Sequence, residues 1–281
     1  MIGQVRLRSL AAKRLRWRPL LALALAACLQ LVSLPGQAQA PASEIPRVSA
    51  DNLAQGLSLR GQWRFQPGDD LDWAHPALDD SQWQSLGVPE RWPMGGYPDY
   101  GQMGWYRLTL IVDPSLRDTR LLDQLAVRMG KILSAYELYA GGELIGSVGR
   151  LPPLNEVDYD RERVLAIDQS AVAADGRLVL ALRVWGGESA LVDTWGAGPV
   201  SGEFKLGYYR ELLLDGILAE VPGLIFAAIT LFFGCYHLYL YGRNRNLKAF
   251  LWFGLMACNL AVYGVMITQW KYVTDLSFLT M

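Results

Sequence analysis

The sequence predicts a mainly β exported domain followed by transmembrane α-helices. Three observations predict this fold class: a signal-like N-terminus, short alternating apolar runs bounded by Gly, Pro and Asp, and two long uncharged apolar segments near the C-terminus. The chain has 281 residues, of which 52% are hydrophobic, with 10 Trp and 28 Gly. Its formal net charge is −1, so no basic field favours nucleic acid as a partner.

Residues 1–38 are predicted to be a signal peptide. Basic residues precede an apolar segment, Pro19 to Leu34, and small residues follow it, with cleavage expected after Ala38. A second interpretation stays open, because Leu25 to Cys28 match a lipobox in which Cys28 would be acylated and would tether the chain by lipid. Either interpretation places the following domain outside the cytoplasm.

The exported part has no cysteine with which to build a disulfide framework. Of the three Cys, Cys28 lies in the signal segment, and Cys235 and Cys258 lie in apolar runs. The domain predicted for residues 47–203 must therefore be stabilised by a hydrophobic core.

Short strands at regular spacing indicate a β-sandwich or barrel in residues 47–203. Gly141 and Gly142 supply the positive φ that a tight turn needs, which predicts a hairpin around them. The predicted strands are Gln62–Phe65, Trp105–Val112, Gln124–Arg128, Ala135–Ala140, Glu143–Val148, Arg163–Ile167 and Arg177–Trp185.

Six motifs occur in one order along this domain: Gly61–Phe65, Asp79–Trp83, Val88–Pro89 with Trp92, Gly104–Arg107, Ala135–Tyr139 and Gly176–Val184. The series resembles the galactose-binding-like jelly roll at the N-terminus of glycosidases of the β-galactosidase and β-glucuronidase type. The resemblance implies a mainly β jelly-roll sandwich. One turn departs from the family, because Ala140 to Gly142 stand where the family has Asn-Gly.

Two apolar segments, residues 221–241 and 249–270, are predicted to span a membrane, because each holds roughly 20 uncharged residues. The loop between them, residues 242–248, holds three cations and no anion, so the positive-inside rule places it in the cytoplasm. Residues 271–281 are predicted to be an outer loop and the start of a third helix. The cations of the loop are Arg243, Arg245 and Lys248.

A jelly roll between a signal peptide and membrane helices with a basic inner loop resembles the bacterial seven-transmembrane receptors with diverse intracellular signalling modules. The resemblance covers the jelly roll and the first two helices. It implies a periplasmic sensor domain at the inner membrane, whose signal the helices carry to a cytoplasmic output domain. That output would be a diguanylate cyclase, a histidine kinase or a serine phosphatase.

Residues 204–220 are predicted to be a juxtamembrane linker. Tyr208, Tyr209 and Arg210 lie where coupling between the sensor and the first helix must pass, and plain interfacial anchoring is the alternative. The predicted partners are the lipid bilayer, a sugar or other small periplasmic ligand, and a second copy of the chain as a homodimer.

The segment from Val88 to Leu110 concentrates aromatic side chains with Gly and Pro. In one interpretation the rings cover an end of the sandwich, because they bury large areas at low entropic cost. In the other they form a platform on which a sugar ring stacks. The platform residues would be Trp92, Tyr97, Tyr100 and Trp105.

Acidic side chains at Asp69, Asp70 and Asp72 offer oxygen ligands for a structural Ca²⁺, although their spacing fits no defined calcium loop and solvated turn carboxylates are the commoner explanation. No other cofactor is predicted. The acidic residues of 156–162, interleaved with arginines, are interpreted as an exposed mixed-charge segment.

No catalytic residue is predicted. His75 is the single exported histidine, and the carboxylate pair of the resembled glycosidases lies on a barrel for which this chain has no room. The 281 residues are therefore expected to contain no enzyme, although an output enzyme would belong to the full receptor. The alternative function is a membrane-anchored carbohydrate-binding or accessory module of a carbohydrate-active enzyme, and a third is an adhesin-like module.

Overall fold

The computed structural model describes residues 45–98, 100–117, 122–158, 160–187 and 196–272. The predicted signal peptide, the lipobox cysteine Cys28 and residues 273–281 of the predicted outer loop and third helix lie outside the described residues.

The described chain is a β domain followed by two long apolar helices. The seven strands predicted from the sequence are all present, with ends that differ by a residue or two. The strands are β1 (Arg47–Val48), β2 (Leu57–Ser58), β3 (Gly61–Pro67), β4 (Gln84–Val88), β5 (Met103–Val112), β6 (Leu125–Met129), β7 (Lys131–Leu133), β8 (Ala135–Ala140), β9 (Glu143–Val148), β10 (Arg163–Ala166), β11 (Arg177–Trp185), β12 (Gly198–Ser201) and β13 (Lys205–Tyr208).

Two sheets form most of the β domain. The large sheet has the order β4-β3-β5-β11-β8-β9, with β1 pairing parallel to β5. The small sheet has the order β10-β6-β13-β2, and β12 pairs with β7 in a separate ribbon. The predicted hairpin joins β8 to β9, and its two glycines, Gly141 and Gly142, have φ values of 60° and 94°.

The core lies between the inner faces of the two sheets. Strand alternation directs Tyr106 and Leu180 of the large sheet inward, where they share one buried cluster with Val127, Met129 and Leu206 of the small sheet. The central strand β11 is buried on both faces over most of its length, as its apolar sequence predicts. A single core therefore joins the two sheets.

The outer face of the large sheet is covered in part by the segment 68–83. This segment holds a short 3-10 turn, Leu71–Ala74, which packs against β11. Beneath it Trp105 and Ala181 form a second, smaller buried cluster with Ala74. The large sheet thus has a packed inner face and a half-covered outer face.

Four α-helices are present in the described residues: α1 (Ala50–Gln55), α2 (Pro114–Arg117), α3 (Tyr209–Arg243) and α4 (Lys248–Met266). The last two are long and apolar enough to span a membrane, and their apolar windows are largely exposed, unlike core helices of a soluble protein. The region predicted as a linker, 204–220, is strand β13 followed directly by the first turns of α3.

Helices α3 and α4 pack closely at two facing glycines. A Cβ added to Gly234 would lie 2.6 Å from the Cys258 sulfur and 2.9 Å from its backbone nitrogen. One added to Gly254 would lie 3.0 Å from the Gly234 carbonyl oxygen. Small residues therefore allow the two backbones to approach, as is common for helices packed in membranes.

Candidate functional site

The structure corrects the predicted aromatic platform at two of its four residues. Trp92 and Trp105 are fully buried, so neither presents a ring face to a ligand. Trp92 packs on Phe65 in the core, and its indole N–H donates a 2.6 Å hydrogen bond to the Tyr106 hydroxyl oxygen. Trp105 lies on the opposite face of the large sheet, beneath the segment 68–83.

Tyr97 and Tyr100 are half-buried and close one end of the core. Their rings are tilted by 59°, with centroids 6.0 Å apart, which gives no flat surface. The Tyr97 hydroxyl donates to Gln84 Oε1 at 2.6 Å, and the Tyr100 hydroxyl donates to the Met103 carbonyl at 2.6 Å. Burial raises the pKa of both hydroxyls. This arrangement corresponds to the covering interpretation of the aromatic segment.

A different group of side chains forms the candidate site, which we call the outer-face patch. It consists of Asp69, Trp73, Glu137, Tyr139 and Arg183, on the half-covered outer face of the large sheet. Arg183 lies opposite Glu137 in the β11–β8 register, and Asp69 reaches it from the segment that covers this face.

Arg183 connects the two carboxylates of the patch. Its Nε and Nη2 atoms donate to both oxygens of Asp69 at 2.8 and 2.6 Å, and its Nη1 donates to Glu137 Oε2 at 2.9 Å. Such a bidentate pair fixes the plane of the guanidinium. The side chains of Arg183, Glu137 and Asp69 are 17%, 22% and 37% exposed, so water or a ligand can reach all three.

Aromatic rings support and border this charged group. The Tyr139 hydroxyl donates to Glu137 Oε2 at 2.7 Å, and its ring lies 5.5 Å from that of Trp105. The buried Trp105 indole N–H donates to Asp69 Oδ1 at 3.2 Å. Trp73, which is half-buried, meets the Trp105 ring edge to face at 6.4 Å. The patch therefore combines acceptors, donors and apolar ring surface.

The contacts of the patch shift the pKa values of Asp69, Tyr139 and Arg183. Hydrogen bonds from Arg183 lower the pKa of Asp69. Partial burial, together with the neighbouring Glu137 carboxylate, raises the pKa of Tyr139 to about 12. Burial disfavours the charge of Arg183, but its hydrogen bonds to Asp69 and Glu137 outweigh burial and raise its pKa. At neutral pH Asp69 is therefore an anion, Arg183 a cation and Tyr139 a neutral phenol.

Arg107 holds the covering segment 68–83 on the sheet. Its Nε donates to Asp80 Oδ2 at 2.9 Å, and its Nη1 donates to the carbonyl oxygens of Trp73 at 2.5 Å and His75 at 3.2 Å. The guanidinium also lies 5.9 Å from the Trp83 ring centroid. Trp73 and the rest of the covering segment are therefore fixed by an anchor from strand β5.

Two of the three predicted calcium ligands, Asp69 and Asp70, have other partners in the structure. Asp69 is bound to Arg183, and Asp70 caps the 3-10 turn by accepting a 3.0 Å hydrogen bond from the Asp72 backbone nitrogen. Within the part of the chain that the structure describes, no group of three His, Cys, Asp or Glu side chains is placed to hold a metal ion. Structural calcium stays a prediction.

The predicted coupling residues lie at the junction of β13 and α3. Tyr208 ends the strand, and Tyr209 and Arg210 are exposed in the first turn of the helix. Closer contacts come from positions that the sequence did not single out. Leu212 is buried against Gly207. Gly216 lies close to Arg128, because a Cβ added to Gly216 would lie 3.6 Å from Arg128 Nη1.

A second contact joins the β domain to the end of α4, through a 3-10 turn, Gln269–Tyr272, which we call the outer turn. Gln269 accepts from the Glu162 backbone nitrogen at 2.9 Å and donates to the Asp160 carbonyl oxygen at 2.8 Å. The Lys271 ammonium lies 2.6 Å from Asp160 Oδ2, and the Tyr272 hydroxyl donates to Asp160 Oδ1. The outer turn is therefore fixed to the approach to β10.

The acidic segment before β10 is the exposed mixed-charge segment expected from the sequence only at its start, where the exposed Glu156 pairs with Arg150. Glu162 is largely buried and accepts from Arg128 Nη2 at 2.6 Å, while Asp160 binds the outer turn. Burial, followed by the Asp160 carboxylate, raises the pKa of the Tyr272 hydroxyl. Residues 160 and 272 are 112 positions apart and share no sequence motif, so their contact could not be predicted from the sequence.

The three cations of the predicted inner loop lie together at the other end of the helical pair. Arg243 is the last residue of α3, Lys248 is the first of α4, and the Arg245 guanidinium lies 5.7 Å from the Tyr241 ring centroid. Which side of a membrane this end faces stays a prediction from the positive-inside rule.

Comparison with known proteins gives partial structural neighbours only. No family model and no curated protein match the chain. A β-glucuronidase from Bacteroides uniformis is 21% identical with a TM-score of 0.43, over 54% of this chain and 17% of that chain. A glycosyl hydrolase family 2 member from Bacteroides cellulosilyticus is 19% identical with a TM-score of 0.42, over 54% and 20% of the two chains.

A β-glucuronidase from Bifidobacterium dentium is 19% identical with a TM-score of 0.36, over 47% of this chain and 20% of that chain. This chain covers at most about a fifth of the length of each of these enzymes. Similarity at this level does not define the activity of this protein.

Proposed function

We propose that the chain is a membrane-anchored, jelly-roll carbohydrate-binding module, held at the bacterial inner membrane with its β domain in the periplasm. The observation on which this rests is the outer-face patch. Sugar hydroxyls both donate and accept hydrogen bonds, and the patch offers carboxylate acceptors beside a guanidinium donor. Trp73 adds a half-exposed ring of the kind that stacks on the apolar face of a sugar.

The charges of the patch favour a neutral sugar over an acidic one. Asp69 and Glu137 contribute two negative charges against the single positive charge of Arg183, and the nearby Arg107 is already paired with Asp80. A carboxylate ligand would have to displace one of two short ion pairs, whereas a neutral hydroxyl can share their oxygens and N–H groups.

Binding is tested with the full chain in nanodiscs, against neutral and acidic mono- and oligosaccharides, by isothermal titration calorimetry. Tyr139→Phe removes one hydroxyl and keeps the ring, so its affinity is expected to fall about fivefold, which is the typical value of one net hydrogen bond. Gln62→Ala, an exposed change on the same sheet three strands away from Tyr139, is the matched control and is expected to bind normally. Absence of binding to every sugar, or equal affinity of both variants, would refute the proposal.

A second candidate function is the periplasmic input of a transmembrane receptor, with an output domain outside these residues. The observation that favours it is the double attachment of the β domain, through the unbroken passage from β13 into α3 and through the outer turn. A ligand that changes the β domain would therefore act on both helices, provided that it binds the two arrangements with different affinity.

This candidate is tested by hydrogen exchange at the Glu162 backbone amide, which donates to Gln269 of the outer turn. If the β domain signals through the outer turn, a sugar that binds is expected to change the exchange rate of this amide. Exchange that is the same with and without bound sugar would leave the protein as an anchored binding module.

A further inference from the structure

A heptad-spaced apolar stripe runs along one exposed face of α3. Its members alternate spacings of four and three residues, which is the repeat of a left-handed coiled coil. The stripe starts at Leu214, because the preceding position of the repeat is Glu211. Each member is exposed in the described chain: Leu214, Leu218, Val221, Ile225, Ala228, Phe232, Cys235 and Tyr239.

The opposite face of α3 is already occupied. Leu212 is buried against the β domain, and Gly216 approaches Arg128 there. Further along the helix, Ala227 and Gly234 are buried against α4. At about 100° per residue these positions lie on the far side of the helix from the stripe. The stripe is therefore uncovered by the rest of the described chain.

The diagnostic part of the stripe lies outside the predicted membrane span. A helix of 35 residues is about 52 Å long, whereas the hydrocarbon core is about 30 Å thick. With the span beginning at Val221, Leu214 and Leu218 stand in the aqueous part, 46% and 63% exposed. Lipid would cover apolar residues within the span, but it does not cover these two leucines.

The charges beside these leucines identify the partner. With Leu214 at d and Leu218 at a, Arg210 occupies position g and Asp215 occupies the e position five residues later. In a parallel two-stranded coil each g side chain faces the e side chain of the other helix at this offset. Both residues are exposed, and no ion pair within the described residues involves either.

We propose that a second copy of this chain covers the stripe, in a parallel two-helix coiled coil that extends from the aqueous turns of α3 into the membrane. Two copies inserted in the same orientation bring Arg210 of each against Asp215 of the other, which gives two symmetric ion pairs. The surface is independent of the outer-face patch, so the dimer does not depend on the proposed sugar ligand.

The dimer is tested by disulfide cross-linking of the full chain in membranes. The background is Cys235→Ala with Cys258→Ala, to which Leu214→Cys, Leu218→Cys or Ala219→Cys is added singly. Ala219 is exposed and adjacent to Leu218 but lies on another face, so it is the matched control. Leu214→Cys and Leu218→Cys are expected to form disulfide-linked dimers, and Ala219→Cys is expected to remain monomeric. Equal cross-linking at the three positions, or none, would overturn the proposal and leave lipid or further helices of the protein as the cover.

Charge reversal then tests the parallel register. Arg210→Asp or Asp215→Arg alone places like charges together, and each is expected to weaken dimerisation of Leu214→Cys by about two- to tenfold. The double reversal restores opposite charges and is expected to restore the cross-linked fraction. A double variant that remains as weak as the single variants would contradict the parallel register.

Discussion

Replacing Arg107 by Met is predicted to lower the free energy of unfolding by about 3 kcal/mol. The Arg107 side chain is 1% exposed and holds Asp80 together with the carbonyl oxygens of Trp73 and His75. Met keeps the apolar stem of the side chain but leaves the carboxylate and both carbonyls without this donor. Loss of one partner of a fully buried pair costs about 3–5 kcal/mol, and the 23% exposure of Asp80 places the value at the lower end.

The matched control is Arg64→Met, because Arg64 lies directly opposite Arg107 in the β3–β5 register but is exposed. Arg64 Nη1 donates to the Trp83 carbonyl oxygen at 3.2 Å, but this hydrogen bond is exposed, so its loss is expected to cost no more than about 1 kcal/mol. Chemical unfolding of the full chain in micelles, followed by tryptophan fluorescence, measures both variants, since Trp73 and Trp83 lie beside the Arg107 contacts. If the two variants lose the same small amount of stability, the ion pair does not anchor the covering segment.

Three further changes give contrasting outcomes. Gly234→Ala is expected to lower the melting temperature of the helical pair, because the new Cβ would lie 2.6 Å from a neighbouring sulfur, whereas Gly242→Ala meets nothing within 4 Å and should have no effect. The lowered pKa of Asp69 means that its pair with Arg183 stabilises the fold above the unfolded pKa and is lost as pH falls through the folded pKa. Between about pH 6 and pH 3 the melting temperature should therefore fall more steeply with decreasing pH for the wild type than for Asp69→Asn. The same pH dependence in both proteins would contradict this. The pKa of Tyr139 is raised to about 12, so its stabilisation is present below the unfolded pKa and is lost as pH rises through the folded pKa. In the alkaline range the melting temperature of Tyr139→Phe should therefore fall less steeply with rising pH than that of the wild type.

The regular part of the fold follows from the sequence because its strands are long enough to show alternation. Strand β5 runs for ten residues and β11 for nine, and both were predicted nearly to their ends. Strands β2 and β7 have two and three residues, too few to show a period of two. Their pairing depends on the partner strand, so no local pattern could have located them.

The candidate site was missed because its contacts join distant parts of the chain. Asp69 and Arg183 are 114 residues apart, and neither lies in a motif that predicts a pair. The predicted platform residues were chosen because aromatic residues are closely spaced in this part of the sequence. Close spacing does not show which face of a strand other parts of the chain cover. Trp105 points to the outer face, and only the return of the segment 68–83 over that face buries it.

Strand β8 carries Glu137 and Tyr139 of the outer-face patch, and Ser134, just before it, forms a bridge with Asp158 near the segment that binds the outer turn. Glu137 and Tyr139 face the patch, whereas Tyr136 faces the core beside the segment that binds the outer turn. The Tyr136 hydroxyl is buried without a hydrogen-bond partner among the described residues. Burial raises the pKa of this hydroxyl and outweighs the nearby Arg163 and Arg161, which lower it.

If the protein signals through the outer turn, Tyr136→Leu should bind sugar as the wild type does and should lose the sugar-dependent change in exchange at the Glu162 amide, because the ring that links the two sites is removed. Tyr136→Phe is the matched control. It removes only the unpaired hydroxyl, so it should keep that change, with stability within about 1 kcal/mol of the wild type. A sugar-dependent change that persists in Tyr136→Leu would exclude the Tyr136 ring as the connection, because the change would then reach the outer turn through another part of the β domain.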